Sequence, residues 1–144
     1  MPRPLTPTDA PTIAKLPAFQ PLSEADVIEL ANCTESISLV LTEPDSCQPA
    51  GMITYAVGIN YYRVDYLIAT DAIVRGTLLN LLQRKAEQRG KAIIATVNEY
   101  DIYKLQAFKI AGFSSRLKRG AFEAADGVEF CWANTKVKKT AKAK

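Results

Sequence analysis

The stretch from Thr70 to Phe113 constrains the fold more than any other part of the chain. A strand-like segment runs into a long segment with apolar residues at helical spacing, and that segment stops at Gly90. An almost wholly apolar run follows at 92–97, and then a short helix-like segment that ends in Gly112-Phe113. The alternation of the two periodicities predicts a sheet with helices packed on it.

Two short helices and three strands are predicted ahead of this stretch. Thr6 and Ser23 each precede an apolar periodic segment with an acid in its first turn, which is typical of helix starts. Alternating segments at 36–41, 52–57 and 62–68 predict a meander of three strands. In the third strand, the side chains on one face are expected to be Tyr62, Val64, Tyr66 and Ile68.

A closing hairpin is predicted after Phe113, with its turn at Ala125-Asp126-Gly127. The full order, β-α-α-β-β-β-α-β-α-β-β, gives about seven strands and four helices. The strand at 92–97 is expected to be central, because it is apolar on both faces. Periodicity alone supports an α+β or an α/β protein and does not fix the strand order.

The composition excludes several kinds of chemistry. The chain has no histidine, so catalysis that depends on an imidazole is excluded. Its three cysteines are widely spaced and odd in number, which argues against a disulfide framework or a thiolate metal site, and no metal is expected. No apolar run is long enough for a membrane span, and the start lacks the apolar core of a signal peptide. We expect a cytoplasmic protein with no membrane partner.

The positive charge is concentrated at the C-terminus. The net charge of the chain is +3, but five lysines lie in the last nine residues, and the remainder has 13 basic and 15 acidic residues. We therefore predict one domain over 1–133 and a disordered basic tail over 134–144. A solubilising tail is favoured over one that binds a polyanion, so nucleic acid is not an expected partner.

The order of elements and the Gly112-Phe113 ending resemble the GNAT superfamily of acyl-CoA-dependent N-acetyltransferases. The resemblance covers the chain to about Ala133. It implies an α+β fold with α/β/α layers around a mixed sheet, with acetyl-CoA as co-substrate between the fourth and fifth strands. It also implies a direct transfer of the acyl group to an amine, with no covalent enzyme intermediate.

The resemblance places the coenzyme pyrophosphate at the start of the long helix, where such proteins have a glycine-rich loop. Two arrangements of this segment are open. In the first, a loop at Arg75-Gly76-Thr77 and the amides from Val74 onward bind the phosphates. In the second, Thr70 or Asp71 caps a helix that starts earlier, and Gly76 lies inside it. The first is favoured, because a glycine inside a helix costs about 1 kcal/mol.

The short helix departs from the family pattern at two positions. The family has an asparagine near the start of this helix and, later in it, a tyrosine that usually protonates the departing thiolate. The corresponding residues here are Asp101 and Phe108, and both are expected to contact the coenzyme. Phenylalanine has no proton to donate. Thiolate departure would then depend on water, on Tyr103 or Tyr100 in a shifted register, or would not be assisted at all.

The resemblance also implies a carboxylate or a water chain that removes the proton of the amine. Glu99 and Asp65 are the candidates for this base. The candidates for polarising the thioester carbonyl are the backbone amides of Leu67, Ile68 and Ala69. Tyrosines that could line the acceptor groove are Tyr61, Tyr62 and Tyr66. Each of these side chains also has a purely structural interpretation, as a solvated strand residue or a half-buried sheet residue.

Three functions remain open from the sequence. The first is an acetyltransferase acting on a small-molecule amine or a protein amine. The second is a catalytically degenerate domain that senses a ligand or binds a protein, which Phe108 and the glycine-poor segment favour. The third is a nucleic-acid or ribosome-associated protein that uses the lysine tail. The last hairpin could also pair edge to edge in a homodimer.

Overall fold

The computed structural model describes residues 2–133. The lysine tail predicted at 134–144 lies outside the described residues. The strands are β1 (Arg3–Pro4), β2 (Ser36–Thr42), β3 (Pro49–Val57), β4 (Tyr61–Ala69), β5 (Ala92–Asn98), β6 (Ser114–Phe122) and β7 (Ala125–Trp132). The helices are α1 (Ala10–Lys15), α2 (Glu24–Asn32), α3 (Ala72–Arg89) and α4 (Ile102–Ile110), with single 3₁₀ turns at Pro7–Asp9 and Pro17–Phe19.

The seven strands form one mixed sheet in the order β1-β2-β3-β4-β5-β7-β6. The first two pairs, β1 with β2 and β2 with β3, are antiparallel. The pair β4 with β5 is parallel, and its ladder runs from Tyr61–Ala92 to Val64–Ala95. β7 lies between β5 and β6 and is antiparallel to both. The seven strands, the four helices and the mixed sheet confirm the predicted fold class.

The chain divides into two compact units. The first comprises Met1–Val57 and Asp65–Leu78, and the second comprises Gly58–Val64 and Leu79–Lys144. The boundary therefore falls twice within regular elements, once inside β4 and once inside α3. The prediction of one domain over 1–133 stays a prediction.

The first unit has an apolar core beneath its N-terminal helices. α2 begins at a capping box in which Ser23 Oγ accepts from the Asp26 amide and Asp26 Oδ2 accepts from the Ser23 amide. The buried cluster of this unit comprises Leu5, Ala10, Ile13, Phe19, Leu22, Val27, Val40 and Met52. A buried hydrogen bond of 2.8 Å joins the hydroxyls of Ser38 and Thr54 on the paired strands β2 and β3, so neither polar group is left unsatisfied.

The second unit has an aromatic core. The ring of Phe108 in α4 stacks on Phe130 of β7 at 4.9 Å and meets Phe113 edge-on at 5.0 Å. Gly112 ends α4 with φ of +88°, and the Phe113 amide then donates to the Phe108 carbonyl. The Gly-Phe ending of the sequence thus turns the chain so that both phenylalanines enter one cluster.

Two sequence predictions about the strands are wrong. In β4, Tyr62, Val64 and Leu67 are buried, whereas Tyr66, predicted to share a face with Tyr62 and Val64, is 38% exposed. The face therefore changes at Asp65 and Tyr66, two consecutive exposed residues, as happens where a strand contains one extra residue. β5 lies inside the sheet between β4 and β7, as predicted for the strand at 92–97, but Thr96 on it is exposed, and β3 is buried over more of its length.

The predicted turn at Ala125-Asp126-Gly127 is also wrong. These residues belong to β7, and the turn lies at 123–124. Asp126 Oδ1 instead accepts from the Gly120 amide at 2.9 Å, where the pairing of β6 with β7 shifts register. A Cβ on Gly127 would lie 2.7 Å from the Ala121 Cβ, so close packing rather than a turn accounts for this glycine.

Candidate functional site

The predicted site residues fall into two groups, one in each compact unit. The first unit holds the end of β4 and the start of α3, with Asp65, Leu67, Ile68, Ala69, Val74, Arg75, Gly76 and Thr77. The second unit holds the connection from β5 to α4, with Glu99, Asp101, Tyr103 and Phe108. Within each group the residues are close in sequence, so the local backbone determines their arrangement.

Of the two arrangements open for the start of the long helix, the structure has the second. α3 begins at Ala72, and Asp71 Oδ1 accepts from the Val74 amide at 2.9 Å. The Arg75 amide donates to the Asp71 carbonyl at 3.2 Å. The preference for a loop is therefore wrong, because an aspartate cap and continuous helical bonds stabilise the early start more than the glycine weakens it.

Arg75, Gly76 and Thr77 lie in the first two turns of α3. A guanidinium nitrogen of Arg75 lies 3.5 Å from the Ala69 carbonyl, so this side chain turns back toward the end of β4. Thr77 Oγ1 donates to the Ile73 carbonyl at 2.8 Å. A Cβ added to Gly76 would meet nothing within 4 Å, so packing does not require a glycine there.

The end of β4 is anchored on one side by β3. The Thr70 amide donates to the Ala50 carbonyl at 2.8 Å, and Leu67 is 2% exposed. Ile68 packs against the core cluster of the first unit. Asp65 is exposed, at the point where the burial of β4 changes face. The backbone of this segment is therefore held by packing, while the carboxylate faces solvent.

The start of α4 resembles the start of α3. Asp101 Oδ1 accepts from the Lys104 amide at 3.2 Å, and Lys104 Nζ lies 3.5 Å from the other carboxylate oxygen. Tyr103, in the first turn, is 70% exposed. The Glu99 amide donates to the Asp126 carbonyl at 3.1 Å, which ties this connection to β7. The structure thus assigns Asp101 the role of a helix cap and presents Tyr103 to solvent.

Phe108 is a core residue. Its side chain is 1% exposed, inside the aromatic cluster with Phe113 and Phe130. The structure gives it a packing role, and the coenzyme contact expected of it stays a prediction. The absence of a hydroxyl also fits this environment, because a buried hydroxyl without a partner is costly.

The three tyrosines considered for the acceptor groove separate. Tyr61 is 40% exposed and Tyr66 is 38% exposed, but Tyr62 is buried. Lys91 Nζ lies 5.0 Å from the centre of the Tyr62 ring and donates to the Gly58 carbonyl at 2.6 Å. Tyr62 therefore supports the turn before β4 and does not line a surface.

Asp71 and Tyr100 are the residues that sequence reasoning underrated. The sequence offers Asp71 as a cap only in its less favoured alternative, although an aspartate three residues before a helical amide is a recognisable signal. Tyr100 is 74% exposed beside the Glu99 connection, and no periodic pattern marks it. Over residues 2–133, no cluster of three or more potential metal-binding side chains occurs, and no helix has the length and hydropathy of a membrane span.

Comparison with known proteins connects this arrangement to a fold. A scan against protein-family models finds no match, and a search of curated proteins finds none either. Solved structures do match. An N-acetyltransferase from Staphylococcus aureus Mu50 superposes with a TM-score of 0.76 at 13% identity, over 92% of this chain and 96% of that one. This chain has the GNAT fold.

Two further structures with the GNAT fold support the assignment. The ribosomal-protein-S18-alanine N-acetyltransferase of Escherichia coli matches with a TM-score of 0.72 at 16% identity, over 92% of both chains. A Desulfovibrio desulfuricans protein, described as an acetyltransferase of the GNAT family, matches at 0.71 and 18% identity, over 92% of this chain and 98% of that one. The likeness extends over nearly the whole chain while the identity is low, which confirms the resemblance found in the sequence.

Proposed function

We propose that this protein is an N-acetyltransferase that uses acetyl-CoA and transfers the acetyl group directly to an amine. The proposal rests on the GNAT fold together with the local structure at the end of β4 and the start of α3. Acetyl-CoA is the expected co-substrate, with its pyrophosphate at the start of α3.

The observation that carries the proposal is the short connection between β4 and α3. Only two residues, Thr70 and Asp71, separate the strand from an 18-residue helix. The first amides of a helix have no partner within it, and the helix dipole adds a positive potential there. Arg75 contributes a cation within the first turn, and Gly76 leaves the helix surface open beside it. These are the properties that a pyrophosphate requires.

The transfer itself requires a proton acceptor and an oxyanion donor. The protonated amine loses one proton to water held by Glu99 or Asp65, its neutral nitrogen attacks the thioester carbonyl carbon, and the nitrogen gives its second proton to water as the amide forms. A backbone amide of Leu67, Ile68 or Ala69 donates to the oxygen as it becomes negative. The carbon–sulfur bond breaks, and the thiolate takes a proton from water or from Tyr103, since Phe108 has none to give.

The acceptor is an amine of a small molecule or of a protein. The E. coli protein is named for an alanine of a ribosomal protein, which supports a protein amine as one class of acceptor. Tyr61 and Tyr66, each more than a third exposed on β4, are the side chains we propose to contact the acceptor. Their amphipathic rings suit either class.

A second candidate function is a GNAT-fold domain that binds a coenzyme or a protein without catalysing transfer. The observation that favours it is the carboxylate of Asp71. This carboxylate accepts a hydrogen bond from the Val74 amide and places a negative charge where the phosphates would bind. The burial of Phe108 favours it too, because no acid is present at that position.

Calorimetric titration with acetyl-CoA and with CoA tests both candidates. We expect binding that weakens at least tenfold in Arg75→Glu. Arg84→Glu is the matched control, because it makes the same charge change on an exposed residue of the same helix and is expected to bind normally. Thiol release with a panel of amines supports the enzyme. Binding without thiol release supports the second candidate, and no heat at millimolar coenzyme contradicts the enzyme and leaves only the protein-binding form of the second candidate.

A further inference from the structure

Charge is unevenly divided between the two units. The first unit contains three Arg and Lys against nine Asp and Glu, a net charge of −6. The part of the second unit within residues 58–133 contains ten against six, a net charge of +4. The nearly neutral body therefore consists of an acidic and a basic unit. The sequence-based expectation that nucleic acid is not a partner used the charge of the tail and of the remainder as a whole, without this division of the remainder.

Among the described residues of the second unit, the exposed positive charge is densest on β6. This nine-residue strand lies at one end of the sheet and carries Arg116, Lys118 and Arg119 with no acidic residue. Glu129 of β7 is the carboxylate paired with both Arg116 and Lys118, at 2.6 and 3.7 Å. The two cations remain 78% and 54% exposed, and one carboxylate cannot neutralise both. The strand therefore keeps a net positive charge at its surface.

An exposed aromatic side chain is connected to the same strand. Asp126 accepts from the Gly120 amide through its carboxylate and from the Glu99 amide through its carbonyl. Asp126 thus links Gly120, the neighbour of Arg119 in sequence, to Glu99, the neighbour of Tyr100. The side chain of Tyr100 is 74% exposed. Exposed cations together with an accessible ring in the same unit are the combination that single-stranded nucleic acids bind, through phosphates and stacked bases.

We propose that β6 and the adjoining Tyr100 form a binding surface for single-stranded nucleic acid. A second copy of β6 is a poorer occupant, because antiparallel pairing would bring like charges together. An acidic peptide or an anionic membrane would match the charge but would give the exposed ring no stacking partner. The surface goes beyond acyl transfer, and it does not depend on coenzyme binding.

Fluorescence anisotropy with a labelled 16-nucleotide oligouridylate, and with oligothymidylate for comparison, tests the proposal on the full chain. Replacing the cations by Arg116→Ser, Lys118→Ser and Arg119→Ser is expected to weaken binding at least tenfold. The slope of log K against log salt should fall by about two, since each phosphate contact on a single strand contributes about 0.7. The matched control is Arg84→Ser, Arg89→Ser and Lys109→Ser, three exposed cations of the same unit outside β6. An equal loss in the control overturns the proposal, because the attraction would then be unlocalised.

Two further measurements keep the outcome decisive. Tyr100→Ala is expected to weaken oligouridylate binding several-fold, whereas Tyr100→Phe, which keeps the ring, should bind normally. If the hydroxyl were the group that matters, Tyr100→Phe would lose binding as well. In a full-length variant with all five tail lysines changed to glutamine, binding should persist. Loss of binding in that variant, or equal binding of polyglutamate or of phosphatidylserine vesicles, would assign the charge to another partner and overturn the proposal.

Discussion

The two helices that follow parallel-paired strands begin alike and differ in what surrounds them. Each has an aspartate whose carboxylate accepts from an amide three residues later, Asp71 in α3 and Asp101 in α4. α4 then carries Phe108 into an aromatic core. α3 instead has Gly76 in its second turn, with open space around it. The same local signal therefore begins two helices that both enter a core, at Phe108 in α4 and at Leu78 and Leu79 in α3, and α3 also has an open position at Gly76.

The largest expected effect concerns the packed helix. Phe108→Ala removes a ring that contacts two other phenylalanines, and it should lower the free energy of unfolding by about 3–5 kcal/mol. Denaturant titration measures this loss. The control is Ile110→Ala on the same helix, where the side chain is 86% exposed and a change within about 0.5 kcal/mol is expected. Equal losses would contradict the contrast between buried and exposed positions on α4.

The two glycines sharpen the comparison. Gly112 has φ of +88°, so Gly112→Ala should destabilise the protein by about 1–2 kcal/mol. Gly76→Ala should instead stabilise it by up to about 1 kcal/mol, because the position is helical and a Cβ meets no atom. If the second turn of α3 contacts coenzyme, Gly76→Ala should also weaken acetyl-CoA binding. Stabilisation without any change in binding would remove Gly76 from the proposed site.

The two caps differ in the expected response to a change of charge. Asp71→Asn retains a side-chain oxygen for the Val74 amide and removes a negative charge from the proposed phosphate position, so acetyl-CoA should bind about two- to tenfold more tightly. Asp101→Asn makes the same change at α4 and should leave the affinity unaltered. Calorimetry on both variants is the measurement. Weaker binding in Asp71→Asn would mean that the carboxylate assists the coenzyme.

The smallest effect concerns a third aspartate at a helix start. Hydrogen bonds from Arg3 hold the pKa of Asp9 below its ordinary value, with further bonds from Thr6. A carboxyl whose pKa is lowered by folding stabilises the protein above its unfolded pKa, about 3.9, and this contribution disappears as the pH falls through the folded value. Wild type and Asp9→Asn should therefore differ at pH 6, and the difference should shrink as the pH falls below the unfolded pKa. A constant difference would contradict this assignment.

The sequence predicts the fold because its signals are local and agree with one another. Gly90 and Gly112 end the two helices where expected, and the alternation of the strands gives their number. Two failures have a common cause. The burial of β4 changes face at Asp65 and Tyr66, and the hydrogen bond from Gly120 to Asp126 lies where the pairing of β6 with β7 shifts register; a strict alternation records neither.

The candidate site is predicted less completely for a different reason. Whether Gly76 lies in a loop or a helix depends on a balance of about 1 kcal/mol between a glycine and a cap, which is too close to decide from residue types. That Phe108 is buried requires knowledge of Phe113 and Phe130, the second of which lies on a distant strand. The uneven division of charge appears only once the units are known.

Hydrogen exchange with and without acetyl-CoA tests most directly whether the start of α3 is the coenzyme site. The proposal predicts slower exchange over residues 70–77 in the presence of acetyl-CoA and little change over the first turn of α4. Unchanged exchange over 70–77 at saturating coenzyme, or protection confined to the start of α4, would contradict it.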